Sequence, residues 1–178
     1  MSKLICYGGS GTATGANFLL EIGNKRVLID CGMLQGSREA SQENAKDFEY
    51  DSASIDILFV THAHIDHIGL IPKLYKGGFR GVIYSTPETK SIAKLLLADA
   101  AKINREKEHP LFTMNDVEGA ISLWQTISYH DKKSFDIGES GKFEVELYDA
   151  GHVLGSSMVR ITTPKGSMLF TGDIGNSP

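Results

Sequence analysis

Short apolar runs punctuated by glycine dominate both ends of the chain, and three-four spacing of apolar positions is confined to its middle. Leu4-Ile5-Cys6-Tyr7 predicts a first strand. Residues 17–22 and 26–30 predict a hairpin about Gly23-Asn24, a glycine-led two-residue turn of the kind strand pairs use. The glycine-rich stretch 8–15 lacks G-x-x-x-x-G-K-[ST] spacing and no helical pattern follows it, so it reads as a loop at the rim of a cleft and not as a nucleotide loop. Residues 33–54 are polar and carry Glu39, Glu43, Asp47, Glu49 and Asp51; a solvated loop, with or without a short helical piece, is the expectation. The apolar run 57–60 predicts a buried strand.

Residues 68–75 predict a short helix closed by Gly77-Gly78, and 82–85 a strand. Thr86-Pro87 then supplies a hydroxyl cap and a proline at the first helical position. Ile92, Leu95, Leu96, Ala100 and Ile103 recur at three-four spacing and are expected to form the buried face of that helix. Lys102, Arg105 and Lys107, set among Glu106 and Glu108 near its end, are explained by the attraction of cations to a helix C-terminus. His109, before Pro110, reads as a surface residue. Thr113 and Asp116 open a further helix with Val117, Ala120, Ile121 and Trp124 inward. From Lys142 onward a meander is predicted over 142–148, 157–163 and 167–171, turning at Pro164-Lys165-Gly166. Strands, then strand–helix units, then strands is the order of an α+β sandwich with helices outside two sheets. No linker divides residues 1–178 into separate domains.

Composition narrows the function. Of the 178 residues 41% are hydrophobic and 22% charged, enough for one substantial core. The net charge of −4 disfavours a free-standing nucleic-acid binder, although bound divalent metals would offset it locally. The N-terminus has no long apolar core of a signal peptide and no run approaches membrane-spanning length, so no membrane association and a cytoplasmic setting are expected. Cys6 and Cys31 do not make a disulfide framework; each sits in a strand-like run and is expected to be a buried free thiol.

The candidate chemistry lies in Val60-Thr61-His62-Ala63-His64-Ile65-Asp66-His67-Ile68-Gly69, which holds three of the six histidines. Imidazole and carboxylate suit zinc and similar divalent metals. His62 and His64 can converge on one ion from a loop leaving a strand, and Asp66 and His67 could turn toward a second. A structural zinc finger would use cysteines, and none is nearby. His152 follows the strand-like 143–148, Asp173 follows the apolar run at 169–170, and Asp30 ends 26–29 in the same way, each beside glycine. A single strand-end aspartate is usually a turn residue; four polar strand ends of one design point to a shared cleft. His130 has no ligand-bearing neighbours and stays out of this set.

H-x-H-x-D-H at 62–67, Gly151-His152 and Gly172-Asp173, preceded by a strand-end Asp30, resemble the metallo-β-lactamase superfamily. The stretches 9–17, 30–36 and 150–156 resemble its β-CASP branch of RNA-processing nucleases. The resemblance implies an αββα metallo-β-lactamase sandwich in which His62, His64 and His152 hold one Zn2+, Asp66 and His67 a second, and Asp173 bridges the two. It implies phosphodiester hydrolysis by a hydroxide activated between the two metals. Asp66 then orients or deprotonates the water, Asp30 orients the ligand histidines from behind, and Gln35 and Phe48 face the substrate. It also places a substrate-clamping β-CASP domain, a last histidine ligand for the second zinc and a candidate general acid beyond Pro178. Residues 1–178 therefore read as the truncated N-terminal portion of the metallo-β-lactamase domain of an enzyme acting on single-stranded RNA. On this reading the first zinc site is favoured, the portion alone is inactive on RNA, and an open sheet edge makes a homodimer a candidate assembly. Two other functions compete: a small-molecule hydrolase of the same superfamily (thioesterase or lactonase), and a non-catalytic scaffold subunit of an RNA-processing complex. The 8–15 loop and the helix after Thr86 argue against the first, the filled ligand positions against the second.

Overall fold

The computed structural model describes residues 2–105 and 109–175; Glu106, Lys107 and Glu108 lie outside them. Gly23, with φ of +58°, opens the two-residue turn between β2 (Asn17–Ile22) and β3 (Lys25–Ile29), and Ile22 pairs with Lys25 across it. β1 (Ser2–Gly8) pairs antiparallel with β2. On the far side of β3 lie β4 (Ile57–Phe59), β5 (Val82–Ser85) and β6 (Trp124–Thr126), each parallel to its neighbour. This six-stranded sheet runs in sequence order. The second sheet is an antiparallel meander of β7 (Lys132–Asp136), β8 (Lys142–Asp149), β9 (Ser157–Thr163) and β10 (Gly166–Phe170), in the order β10-β9-β8-β7.

The period-two alternation of β8 explains how the sheets meet. Phe143, Val145 and Leu147 point inward, with Val159 and Ile161 of β9 beside them, against Leu20, Ile22, Val27, Ile29 and Phe59 of the first sheet. The opposite face of the first sheet is covered by α2 (Ile65–Ile68), α3 (Ile71–Lys76), α4 (Pro87–Arg105) and α5 (Met114–Ser122), burying Leu28, Leu58, Leu74, Leu97 and Val117. Each such side chain removed from water contributes about 1.5–3 kcal/mol. The outer face of the second sheet carries polar pairs, Lys132 with Glu144 at 3.2 Å and Arg160 with the Tyr148 hydroxyl at 3.1 Å. Among the described residues no helix covers it, so the layers are helices, sheet, sheet. None of the described helices is long and apolar enough to cross a membrane.

Several local expectations hold. Ser37 caps α1 (Arg38–Ala45) by accepting from the Ala40 N–H, so the acidic segment does contain a short helix. Thr113 and Asp116 form a reciprocal capping box on α5. Thr86 accepts from the Thr89 N–H at the start of α4. Helix 68–75 begins earlier than expected and is broken at Gly69-Leu70 into α2 and α3.

Three expectations are corrected. The buried face of α4 is Thr89, Ala93, Leu97, Ala101 and Asn104, whereas Leu95 is 72% and Ile103 63% exposed, Leu96 is exposed, and Ile92 and Ala100 are half-buried. Small residues let the helix approach the sheet closely; Thr89 Oγ1 donates to Gly155 O and Asn104 Nδ2 to Phe112 O, while Asn104 Oδ1 is buried without a hydrogen-bond partner. Trp124 belongs to no helix. It starts β6, and its indole N–H donates to Ser85 Oγ at 2.8 Å. Cys6 is exposed, because β1 contributes nothing to the inter-sheet core and its Leu4 and Cys6 side is left uncovered; Cys31 is fully buried as expected.

Burial pushes the Cys31 thiol up to about 12, and thiolate is the reactive form. Titration of the native chain with a thiol reagent at pH 8 should therefore show one fast-reacting cysteine, and two after denaturation; Cys6→Ser should abolish the fast phase. Two fast thiols in the native chain would contradict the burial of Cys31.

Candidate metal centre

The site is assembled at the ends of four strands. After β3 the chain enters the left-handed region at Asp30, with φ of +59°, which is uncommon without glycine. Its carboxylate repays that conformation: Oδ1 accepts from the Thr61 N–H at 2.8 Å, and Oδ2 accepts from Thr61 Oγ1 at 2.8 Å and from His67 Nδ1 at 2.7 Å. The loop after β4 thereby hangs from the neighbouring strand end. Cys31 N donates to His67 O and Ala16 N to Asp66 O, fixing the α2 turn that carries both residues. Gly32 is needed for this approach, since a Cβ there would stand 1.6 Å from Asp66 O.

The second sheet supplies the remaining groups. His152 lies in the loop after β8, where Ser156 Oγ accepts from its N–H at 3.1 Å. The loop is pinned to α4 because Gly155 O accepts from Thr86 Oγ1 at 2.7 Å and Thr89 Oγ1 at 2.8 Å. Ser157 N donates to Thr61 O, joining the two sheets beside the histidines, and Gly175 N donates to Ala150 O, bringing the segment after β10 against the His152 loop. Asp173 stands between.

His62, His64, His152 and Asp173 each present one ligand atom within 4.8 Å of the others. His62 Nε2 is 3.1 Å from His64 Nδ1, and His152 Nε2 is 3.2 Å from the same atom. Asp173 Oδ2 lies 3.8 Å from His62 Nε2 and 3.6 Å from His152 Nε2. Ligands about 2.0–2.1 Å from a tetrahedral zinc would be about 3.3–3.4 Å apart, so this donor set fits one zinc-sized ion. Burial, reinforced by the neighbouring His67, His64 and His152, pushes the His62 imidazole down to about 3, keeping it in the neutral form a metal requires. Asp66 and His67 are not in that set. His67 faces the other oxygen of Asp173, its Nε2 being 3.4 Å from Asp173 Oδ1, and Asp66 Oδ2 lies 4.0 Å from the same His67 nitrogen. Burial works against a charge on His67, but the hydrogen bond and charge of Asp30, with Asp173 and Asp66 near, raise its pKa overall. The two carboxylate oxygens of Asp173 thus face two different groups.

A cleft of about 580 Å³ opens beside His67 and Asp173, lined also by Gly9, Thr12, Ala13 and Phe18, so the glycine-rich loop does form its rim. Gln35 and Phe48 are not among its lining residues. The Gln35 N–H donates to Thr14 Oγ1 at the surface, and Phe48 stacks on Tyr50 at 5.1 Å beneath the Lys73 ammonium. His109 and His130 are exposed and apart from the cluster. Sequence reasoning passed over Thr61 and Ser156, whose hydroxyls bind the backbone and side chains of the site; the signal available was a hydroxyl residue directly before His62 and another shortly after His152.

The sequence profile of the metallo-beta-lactamase superfamily matches residues 12–178. The chain belongs to this superfamily. Relatives within it include Ribonuclease TTHA0252 of Thermus thermophilus, 34% identical over 98% of this chain and 38% of its own length. Integrator complex subunit 11 of Danio rerio is 32% identical over 96% of this chain and 29% of its own. Cleavage and polyadenylation specificity factor 73 of Drosophila melanogaster is 33% identical over 93% and 24%. The chain therefore spans between a quarter and two-fifths of these relatives' length. Among solved structures, the metallo-beta-lactamase fold protein YhfI of Bacillus subtilis superposes with a TM-score of 0.55 at 20% identity, over 99% of this chain and 64% of that one. A protein of unknown function from Enterococcus faecalis gives 0.60 at 19% identity, over 97% and 43%. Both show that this superfamily chain shares a common fold with them.

Because a Cβ at Gly32 would collide with backbone rather than a movable side chain, Gly32→Ala should displace the α2 turn. Overpacking of this kind costs about 1–3 kcal/mol. The thermal midpoint should fall by several degrees and zinc affinity with it; an unchanged midpoint and affinity would show that the turn is free to move.

Proposed function

We propose that residues 1–178 are the metal-holding part of a zinc-dependent, RNA-processing phosphodiesterase of the β-CASP type, cytoplasmic and acting on single-stranded RNA in its full-length form. The observation that carries this reading is the meeting of three ring nitrogens, His62 Nε2 and His152 Nε2 at 3.1 and 3.2 Å from His64 Nδ1, against a carboxylate whose second oxygen faces His67. Relatives named as a ribonuclease and as subunits of Integrator and of the cleavage and polyadenylation factor support RNA as the substrate.

His62, His64, His152 and Asp173 are the ligands of the first zinc. Asp66, His67 and the other oxygen of Asp173 offer three donors to a second, which is held more weakly. Bound zinc supplies Lewis acidity, making water acidic near neutral pH and stabilising charge on phosphoryl oxygens. Asp66, partly exposed, accepts the proton of the attacking water and orients its lone pair toward phosphorus. Asp30 holds His67 with Nε2 facing Asp173, and Asp173 keeps the two halves of the site in register. With a net charge of −4, residues 1–178 have little to hold a polyanion. Alone they are expected to bind RNA weakly and to cleave it barely, and β10 offers an unpaired edge for self-association among the described residues.

Elemental analysis after dialysis against zinc should give one tightly held metal per chain, and a second only at higher free zinc. Bis(p-nitrophenyl) phosphate, which needs no clamp, should be hydrolysed slowly and only with metal, and an aryl thioester should not be hydrolysed. Asp66→Ala should lower the phosphodiesterase rate about a hundredfold to ten-thousandfold, the range typical of a lost acid–base group, while the first zinc stays bound. Thioester turnover without phosphodiester cleavage would replace this reading with a small-molecule hydrolase. Failure to bind any metal would favour a scaffold role.

A further inference from the structure

Thr61 is fully buried at the junction of both sheets, and its hydroxyl has three polar neighbours: Asp30 Oδ2 at 2.8 Å, His62 Nδ1 at 3.1 Å and His67 Nδ1 at 3.4 Å. A hydroxyl has one proton to give and lone pairs to receive. The shortest of the three contacts is to a carboxylate oxygen, and a buried carboxylate draws every donor within reach. The Thr61 proton therefore goes to Asp30 Oδ2. His67 Nδ1 is closer to Asp30, at 2.7 Å, than to Thr61, so the His67 proton goes to Asp30 as well. What remains at Thr61 Oγ1 is acceptor capacity, and the group facing it is His62 Nδ1. That contact is a hydrogen bond only if His62 carries its proton on Nδ1, which leaves its Nε2 lone pair free to face His64 Nδ1 and Asp173.

We propose that Thr61 is a positioning residue that relays the Asp30 carboxylate to His62, so that one carboxylate sets the ring orientation and tautomer of a histidine in each half of the site: His67 directly and His62 through the Thr61 hydroxyl. The backbone holds the relay rigid. Thr61 N donates to Asp30 Oδ1, and Thr61 O accepts from both the N–H and the hydroxyl of Ser157 on β9. Gly172, beside Asp173, packs so closely that an added Cβ would meet the Thr61 side chain at 2.8 Å. The segment that carries Asp173 thus packs directly on the Thr61 side chain. The inference rests on the metal-centre reading above, since a fixed Nε2 lone pair matters only if that atom is a ligand.

Two measurements test it in the whole chain. Long-range ¹H–¹⁵N correlation of the histidine rings in the metal-free protein at neutral pH should show His62 protonated on Nδ1 and bare at Nε2. In Thr61→Val, which keeps the shape and removes the hydroxyl, this tautomer should no longer be held, and zinc affinity by chelator competition should fall about 10–100-fold, the usual effect of losing a partner behind a ligand. Thr61→Ser should restore both. If wild type binds no zinc, the metal-centre reading fails. If wild type binds zinc and Thr61→Val binds it equally well, or Thr61→Ser is as impaired as Thr61→Val, the relay alone is wrong. Should Thr61→Val not fold, a wild-type His62 protonated on Nε2 would by itself overturn the proposal.

Discussion

The Asp30 carboxylate is the fixed point on which the site depends. It sits at the end of β3 in a backbone conformation that a non-glycine residue enters only at a cost, of order 1–3 kcal/mol. In return it accepts three hydrogen bonds from the segment that follows β4: two from Thr61 and one from His67. Those bonds turn a loop into a rigid shelf for His62, His64, Asp66 and His67. Hydrogen bonds to a charged acceptor contribute roughly 1.5–3 kcal/mol each, enough to hold the unusual conformation. The strain and the function lie at the same residue.

Convergence of the two sheets is the second requirement. Four candidate ligands, His62, His64, Asp66 and His67, come from the segment after a strand of the first sheet, and His152 and Asp173 come from the second, so the inter-sheet core of Phe59, Phe143, Val145 and Ile161 sets the distance between the two groups. Ser157 N to Thr61 O and Gly175 N to Ala150 O then fix the register at the rim. The ring nitrogens held 3.1–3.2 Å apart must share either a proton or a metal ion, and that spacing is maintained by the packing behind it. A metal bound at these groups would therefore be linked to sheet docking, each favouring the geometry that the other needs.

The cluster of candidate ligands was legible because its members lie at or shortly after apolar strand ends, beside glycine. Asp30, His62, His64, Asp66, His67, His152 and Asp173 could all be read from that pattern. The face of α4 could not. Ile92, Leu95 and Ile103 have the stronger apolar periodicity, yet the sheet accepts the narrower face of Thr89, Ala93 and Ala101, whose hydroxyl finds a backbone partner. Periodicity reports which face is apolar; residue size decides which one can come close. β6 and β7 were missed for a related reason, since Trp-Gln-Thr is too short to show alternation and Lys-Lys-Ser-Phe-Asp buries only one side. Thr61 was invisible as a contributor because its role arises from the count of protons among Asp30, His62 and His67, which only coordinates reveal.

In the proposed centre His62, His64 and His152 share one metal ion with a carboxylate. X-ray absorption at the zinc edge of the chain loaded with one equivalent reads the ligand shell directly. The account predicts a four-coordinate first shell of nitrogen and oxygen at about 2.0–2.1 Å, with the outer-shell scattering of three imidazoles. A sulfur scatterer near 2.3 Å, or a shell with one imidazole or none, would contradict it.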